Sequence, residues 1–314
     1  MKLIIQIPCY NEAQTLGLAI SQIPRQFPGI RQVEILIIDD GSSDNTIDIA
    51  KKAGVDHIIS LPFHQGLARA FTTGLMACLT RGADIIVNTD ADNQYNANDI
   101  PLLIQPLKDR QADIVIGTRP INSVAHFSPI KKYLQHLGSF VIRYLSHINI
   151  QDATSGFRAI NRHAAMQINI HSRYTYTLEM LLQADEKNLR VTSVPIRVNP
   201  DLRPSRLVKS TASYVQRSVW TILITFVNYQ PIRFFFSLGL FLSIIGLVIA
   251  SRYLYLITAG EGRWHVQSVI FASLFIAAGF QSFLIGFLSS VQTTNRKLLE
   301  NIQYQQRLKQ YKKN

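Results

Sequence analysis

The chain is 314 residues long, 47% hydrophobic and 17% charged, with a formal net charge of +12. That length suits one large domain plus an appendage. Cys9 and Cys78 belong to no CxxC or Cys/His pattern, which argues against a zinc site or disulfide framework and fits a reduced compartment.

The opening run MKLIIQIPCYNE is too short for a signal peptide and lacks a small-residue cleavage site, so this part is expected to stay in the cytoplasm. Lys2–Ile7 reads as a strand stopped by Pro8, and Glu12–Ile23 has helical spacing at Leu16, Ala19, Ile20 and Ile23. Val33–Ile38 is a continuous apolar strand ending at Asp39 and Asp40. The turn GSSDNT then leads into a helix over Ile47–Ala53. His57–Leu61 is a short strand, Gly66–Arg81 a helix, and Ala83–Asn88 a strand feeding the stretch TDADNQYN. There Asp90 and Asp92 stand one residue apart, followed by Asn93 and Gln94. Ile114–Gly117 is a further strand.

Short apolar runs alternating with helices predict an α/β fold with a mostly parallel sheet covered on both faces. Ligands bind outside the carboxyl ends of such strands. Three polar clusters fall at those ends: Asn11–Glu12, Asp39–Asp40 and Asp90–Asp92. No GxGxxG follows the first strand and no GxxxxGK[ST] occurs, which disfavours a dinucleotide-binding dehydrogenase and a P-loop. Acidic strand ends suit another scheme, in which carboxylates hold base and ribose while a cation neutralises a diphosphate. Mg²⁺ and Mn²⁺ prefer oxygen ligands, commonly one or two carboxylates plus substrate phosphates. The plainer alternatives are a solvated loop for Asp90 and Asp92, and a turn capped at Ser42 or Ser43 for Asp39 and Asp40. Asp39 is expected on a nucleotide, while Asp40 is open between nucleotide and scaffold. Glu179, within TYTLEMLL, is equally open between a helix surface and a pocket. His64, His126 and His136 show no ligand spacing and read as ordinary hydrogen-bonding residues.

The positive charge first suggests a nucleic-acid partner, but its distribution argues against one. Residues 203–233 carry Arg203, Arg206, Lys209, Arg217 and Arg233 with no acid, and residues 292–314 carry Arg296, Lys297, Arg307, Lys309, Lys312 and Lys313 against Glu300. Between them lie Phe234 to about Ile257, charged only at Arg252, and Val266 to about Val291, without a charge. Each covers a hydrocarbon core of roughly 30 Å at about 1.5 Å per residue. The short connector Thr258–His265 predicts a hairpin, and the basic flanks predict both termini on the cytoplasmic side. The expected organisation is a catalytic domain over 1–207 and interfacial amphipathic helices over 208–232, the latter including Trp220, Phe226 and Tyr229. A transmembrane hairpin over 233–291 and a basic tail over 292–314 complete it. The tail reads as a solvated or surface-bound helix, with a role in a homo-oligomer the lesser reading.

The segments IPCYNEAQTL, ILIIDDGSSDNT, HQGLARAFTTGL, NTDADNQY, IGTR and DATSGFRAINR, in that order, resemble the family 2 inverting glycosyltransferases of GT-A fold. More narrowly they resemble the dolichyl- or polyprenyl-phosphate hexose synthases, over about residues 1–207. The resemblance implies transfer of a hexose from a nucleotide sugar to a polyprenyl phosphate with Mg²⁺ or Mn²⁺, a UDP-hexose being favoured and GDP-mannose the alternative. It implies donor-binding roles for Pro8, Tyr10, Asn11, Glu12, Asp39, Asp40, Asp90 and Gln94. Asp90, Asp92 and Gln94 would surround the metal. Arg119, Asp152, Ser155 and Arg158 would lie near the acceptor phosphate and sugar, with Asp92, Arg119 and Asp152 at the reacting groups and Asp152 an orienting group or base. Lys131, Lys132, Arg197, Arg203 and Arg206 are candidates to grip the lipid phosphate. A processive polysaccharide synthase would carry QxxRW. The only Arg-Trp pair, Arg263-Trp264, has Gly260 where the glutamine belongs. A non-catalytic sugar-nucleotide scaffold would lack the acidic pair.

Overall fold

The apolar run Lys2–Cys9 forms strand β1, and Leu3, Ile4, Ile5 and Ile7 along it are fully buried. Burial on both faces is what makes such a strand read as continuous rather than alternating. The computed structural model describes residues 1–120, 140, 143, 148, 150–170, 176–200, 216, 220, 223–224, 226–259 and 266–313. In chain order β1 is followed by α1 (Leu16–Ser21), β2 (Gln32–Asp39), α2 (Thr46–Lys52), β3 (His57–Ser60), α3 (Leu67–Thr80) and β4 (Ile85–Asn88). Then come α4 (Ile100–Lys108), β5 (Ile114–Thr118), β6 (Arg158–Asn161), α5 (Arg162–Gln167), α6 (Thr177–Glu186) and β7 (Val191–Pro195). Two long helices close the chain, α7 (Pro231–Thr258) and α8 (Val266–Lys313).

The strands form one sheet in the order β3-β2-β1-β4-β6-β5-β7. All neighbouring pairs are parallel except those of β6, which runs against both β4 and β5. The expected mostly parallel sheet is therefore present, with one antiparallel strand that the apolar pattern did not reveal. β6 is only four residues long and begins and ends with Arg158 and Asn161. Pro8 does not stop β1, which continues to Cys9. The reason is directional. The Gln6 carbonyl accepts from Thr89 on the β4 side, whereas the Cys9 carbonyl accepts from Asp40 on the β2 side. Pro8 shares its direction with Gln6, and β4 pairs with β1 only as far as Gln6. A residue without an N–H is tolerated where no acceptor waits for it.

Residues Met1–Trp220 and Gln303–Asn314 make one compact unit, and Thr221–Ile302 a second. Within the second, α7 and α8 are long and apolar enough to cross a membrane, and most of their large side chains are exposed. They approach through small residues, as lipid-embedded helices do. A Cβ on Gly279 would stand 2.8 Å from the Gly239 carbonyl, and one on Gly246 3.0 Å from that of Ala272. Ser282 also donates to the Phe235 carbonyl at 2.9 Å. The tail is not a separate element, because α8 runs unbroken from Val266 to Lys313. Near its end, within the first unit, Arg307 donates to the carbonyls of Met166 (2.8 Å) and Ile168 (3.2 Å) and to Asn169 Oδ1 (2.7 Å). The basic segment around 203–217 and the hairpin connector 260–265 lie outside the described residues.

Candidate active site

Sheet order puts β1 between β2 and β4, so the three acidic strand ends are neighbours. Chain order reverses between β1 and β4, the switch point at which open α/β sheets bind ligands. After β1, Asn11 takes a left-handed backbone (φ 55°), which its short polar side chain tolerates. Its N–H donates to Ser42 Oγ and its side-chain oxygen accepts from the Ser43 N–H, both at 2.8 Å. The Glu12 N–H donates to Thr46 Oγ1 at 2.9 Å. These bonds lash the β1 loop to the β2 loop. Asp39 is buried and accepts from the Ser42 N–H at 3.3 Å. Tyr10 is 40% exposed and stacks on His64, with ring centroids 4.0 Å apart.

Asp40, left open between nucleotide and scaffold, uses both oxygens on the loop before α3. It accepts the N–H groups of Gln65 and Gly66 and pairs with His64 Nδ1, each at 2.8 Å. Pro8, expected in the base cradle, is buried within β1. His64 has the hydrogen-bonding role expected of it, to Asp40, and its ring also stacks on Tyr10. Only the fold brings these three together.

At the end of β4, the Gln94 N–H closes a turn on Asp92 Oδ1 at 3.1 Å, and Asn93 again adopts positive φ (59°). Gly156 lies against the first carboxylate. A Cβ there would stand 2.8 Å from both Asp90 oxygens, so only glycine fits. Burial and then the charge of Asp92 push the Asp90 carboxyl up to about 7, opposed by Arg119 and Tyr95. Two carboxylates that resist shared ionisation and offer only oxygen suit a hard divalent cation. Among the described residues no group of three or more His, Cys, Asp or Glu side chains surrounds such a position. Asp90 and Asp92 supply two oxygen-bearing side chains side by side, so the pair fits the ion that the resemblance implies.

Arg119 follows β5, and its guanidinium donates to Asp152 through Nε (2.7 Å) and an Nη (3.0 Å) and to Thr154 Oγ1 (3.0 Å). A longer contact of 3.4 Å reaches the Gln94 side-chain oxygen, so Gln94 is turned toward Arg119. Asp152 is fully buried. Burial alone would raise its pKa, but the charge and hydrogen bonds of Arg119 outweigh this and hold it below the ordinary value. A carboxylate that holds a proton so weakly is a poor base, and its hydrogen bonds come from Arg119 and Thr154. Two further expectations need correction. Ser155 is fully buried, its hydroxyl accepting from the Phe157 N–H at 3.3 Å. Arg158 is also fully buried and donates to the carbonyls of Ser155 (2.8 Å), Thr177 (2.8 Å) and Ala153 (2.7 Å). It braces the loop before β6 from within. Arg197 is paired with Asp99, through Nε at 2.9 Å and Nη at 2.5 Å. Glu179 is buried and accepts from Gln183 at 3.4 Å, so it is no surface charge. Lys131, Lys132, Arg203 and Arg206, like His126 and His136, lie outside the described residues.

Two contributors escaped the sequence reading. Tyr95 accepts the Gly156 N–H at 2.9 Å and lowers the Asp90 carboxyl against its burial; burial raises its own phenol, which stays protonated. Asn88, fully buried, donates to the Gly156 carbonyl at 2.9 Å. The signal for Asn88 was present, a polar residue in the apolar run IIVN.

Residues 4–168, just over half of the chain, match the family described as glycosyl transferase family 2. The undecaprenyl-phosphate mannosyltransferase of Micrococcus luteus is 28% identical over 206 residues, covering 62% of this chain and 83% of that protein. The UDP-N-acetylglucosamine–dolichyl-phosphate N-acetylglucosaminyltransferase of Methanococcus voltae is 30% identical over 213 residues, covering 61% and 83%. Glucosyl-3-phosphoglycerate synthase from Mycobacterium tuberculosis, solved with Mn²⁺, UDP and glucosyl-3-phosphoglycerate, is similar at a TM-score of 0.55. That match has 18% identity over 70% of this chain and 79% of the other, and it establishes the shared fold. The chain is a glycosyltransferase of GT-A fold and belongs to glycosyl transferase family 2.

Proposed function

We propose that the chain transfers a hexose from a nucleotide diphosphate sugar to a polyprenyl phosphate, with inversion and with Mg²⁺ or Mn²⁺, giving a lipid-linked monosaccharide. The observation that carries the reading is the Asp90/Asp92 pair at the end of β4 with the buried Arg119–Asp152 ion pair beside it. The acceptors named for the relatives, undecaprenyl and dolichyl phosphate, support a lipid acceptor. So do two helices apolar enough to reach the bilayer. UDP in a structural neighbour favours a UDP-hexose over GDP-mannose. Both termini are assigned to the cytoplasmic side on the basic flanks.

In this reading Tyr10 offers its ring to the base, Glu12 and Asp39 accept from the ribose, and Asp90 and Asp92 face the diphosphate. A divalent cation, when bound, neutralises charge developing on the departing nucleoside diphosphate. Arg119, aimed by Asp152, supplies positive charge toward the incoming lipid phosphate, with Lys131, Lys132, Arg203 and Arg206 as further candidates. A phosphate monoester is already anionic near neutral pH. Its attack on the anomeric carbon, from the face opposite the diphosphate, needs positioning and charge compensation more than a base.

The test uses membranes containing the protein, polyprenyl phosphate, Mg²⁺ or Mn²⁺ and a panel of radiolabelled nucleotide sugars. The expected product is a chloroform-soluble labelled lipid that disappears with Asp92→Asn. A water-soluble polymer would replace this reading with a processive synthase. No transfer from any donor would replace it with a scaffold.

A further inference from the structure

The Tyr95 hydroxyl stands between the two halves of the site. It accepts the Gly156 N–H at 2.9 Å, and a Cβ on Gly156 would stand 2.8 Å from both Asp90 oxygens. The ring is buried and stacks on Phe157, with centroids 5.1 Å apart and planes 15° from parallel. Gly156 is fixed from its other side by Asn88, whose amide donates to the Gly156 carbonyl and to the Tyr176 hydroxyl, both at 2.9 Å. Gln6 donates in turn to the Asn88 side-chain oxygen at 2.9 Å. A hydrogen-bonded path therefore runs from the interior of β1 through Asn88 and Gly156 to Tyr95, and Gly156 itself backs the Asp90 carboxylate. The same loop carries Asp152, which holds Arg119.

We propose that Tyr95 is a positioning residue for the cation site. By holding Gly156 against the Asp90 carboxylate, its hydroxyl sets the spacing between the carboxylate pair and the Arg119–Asp152 pair. The inference rests on reading Asp90 and Asp92 as cation ligands. A phenol suits the task because its oxygen takes the Gly156 N–H and leaves the Asp90 oxygens to a cation. Outer partners of this kind orient ligating carboxylates, and losing one costs roughly 10- to 100-fold in metal affinity or activity.

The experiment titrates Mn²⁺ by electron paramagnetic resonance into the full-length, detergent-solubilised protein with saturating UDP, and repeats it with GDP. Tyr95→Phe removes the hydroxyl and keeps the ring on Phe157, whereas Phe157→Leu removes the stacking and keeps the hydroxyl. Tyr95→Phe is expected to weaken Mn²⁺ binding roughly tenfold or more, and to lower kcat for lipid glycosylation more than it raises the donor KM. Phe157→Leu is expected to bind Mn²⁺ as the wild type does while melting at a lower temperature in EDTA. Wild-type Mn²⁺ affinity in Tyr95→Phe would overturn the inference, as would equal weakening in both variants, which would trace the effect to packing. No Mn²⁺ binding by the wild type with either nucleotide would remove the cation reading and this inference with it.

Discussion

Replacing Asp152 by asparagine preserves shape and removes one charge from a pair whose side chains are 7% and 0% exposed. The carboxylate accepts Arg119 Nε at 2.7 Å, an Nη at 3.0 Å and Thr154 Oγ1 at 2.9 Å. Asparagine accepts through one oxygen only and leaves the Arg119 guanidinium buried without its counter-charge. Breaking one partner of such a pair costs about 3–5 kcal/mol. The residual hydrogen bonding of asparagine places Asp152→Asn near the lower end, about 3 kcal/mol. The pH dependence follows from the direction of the shift. The Asp152 pKa is depressed in the folded state, so its contribution is fully present above the unfolded value of about 3.9. It is lost as pH falls through the lower folded value. The stability gap between wild type and Asp152→Asn should therefore stay constant from neutral pH to about pH 5 and close below about pH 4. Thermal unfolding in detergent with EDTA, followed by circular dichroism across that range, measures the gap. A gap absent at pH 7, or undiminished at pH 3, would refute the assignment of Asp152 as the ionised holder of Arg119.

Two further substitutions separate structure from chemistry. Arg158→Lys cannot reproduce the three carbonyl contacts of the guanidinium, and unsatisfied buried acceptors cost about 1–3 kcal/mol each. The variant should melt markedly lower in the absence of any substrate, and wild-type melting with reduced transfer would return Arg158 to the acceptor site. Gly279→Leu forces a side chain onto the Gly239 carbonyl, 2.8 Å from where its Cβ would sit. It should part α7 from α8, read as loss of a disulfide between cysteines engineered across the hairpin; an intact cross-link would disprove the close packing.

The polar strand ends were legible because a strand buried on both faces is continuous in sequence, and the residue that ends it is conspicuous. Asp39, Asp90 and Asp92 stand out in this way, and the parallel order made them neighbours. Arg158 was misread for the converse reason. An arginine in a motif-rich segment looks like a ligand, and nothing local indicates that three carbonyls of a folded loop absorb it. Ser155 failed alike, and Asp40 stayed open between nucleotide and scaffold, because their partners at Gln65, Gly66 and Phe157 are set by chain path. Tyr95 was hidden by its position beside more obvious acids.

Sequence alone determined the layered α/β class, the acidic edge of the sheet and the two long apolar segments, since each is a pattern of solvation written in consecutive residues. Tertiary structure decided which polar side chains face the pocket and which serve the scaffold. Asp152 and Arg119 are 33 positions apart, and Tyr95 meets Gly156 across 61. Hydrogen bonds of that reach are chosen by strand order and loop closure. The charge on Asp90 depends on the burial and neighbours that the fold supplies.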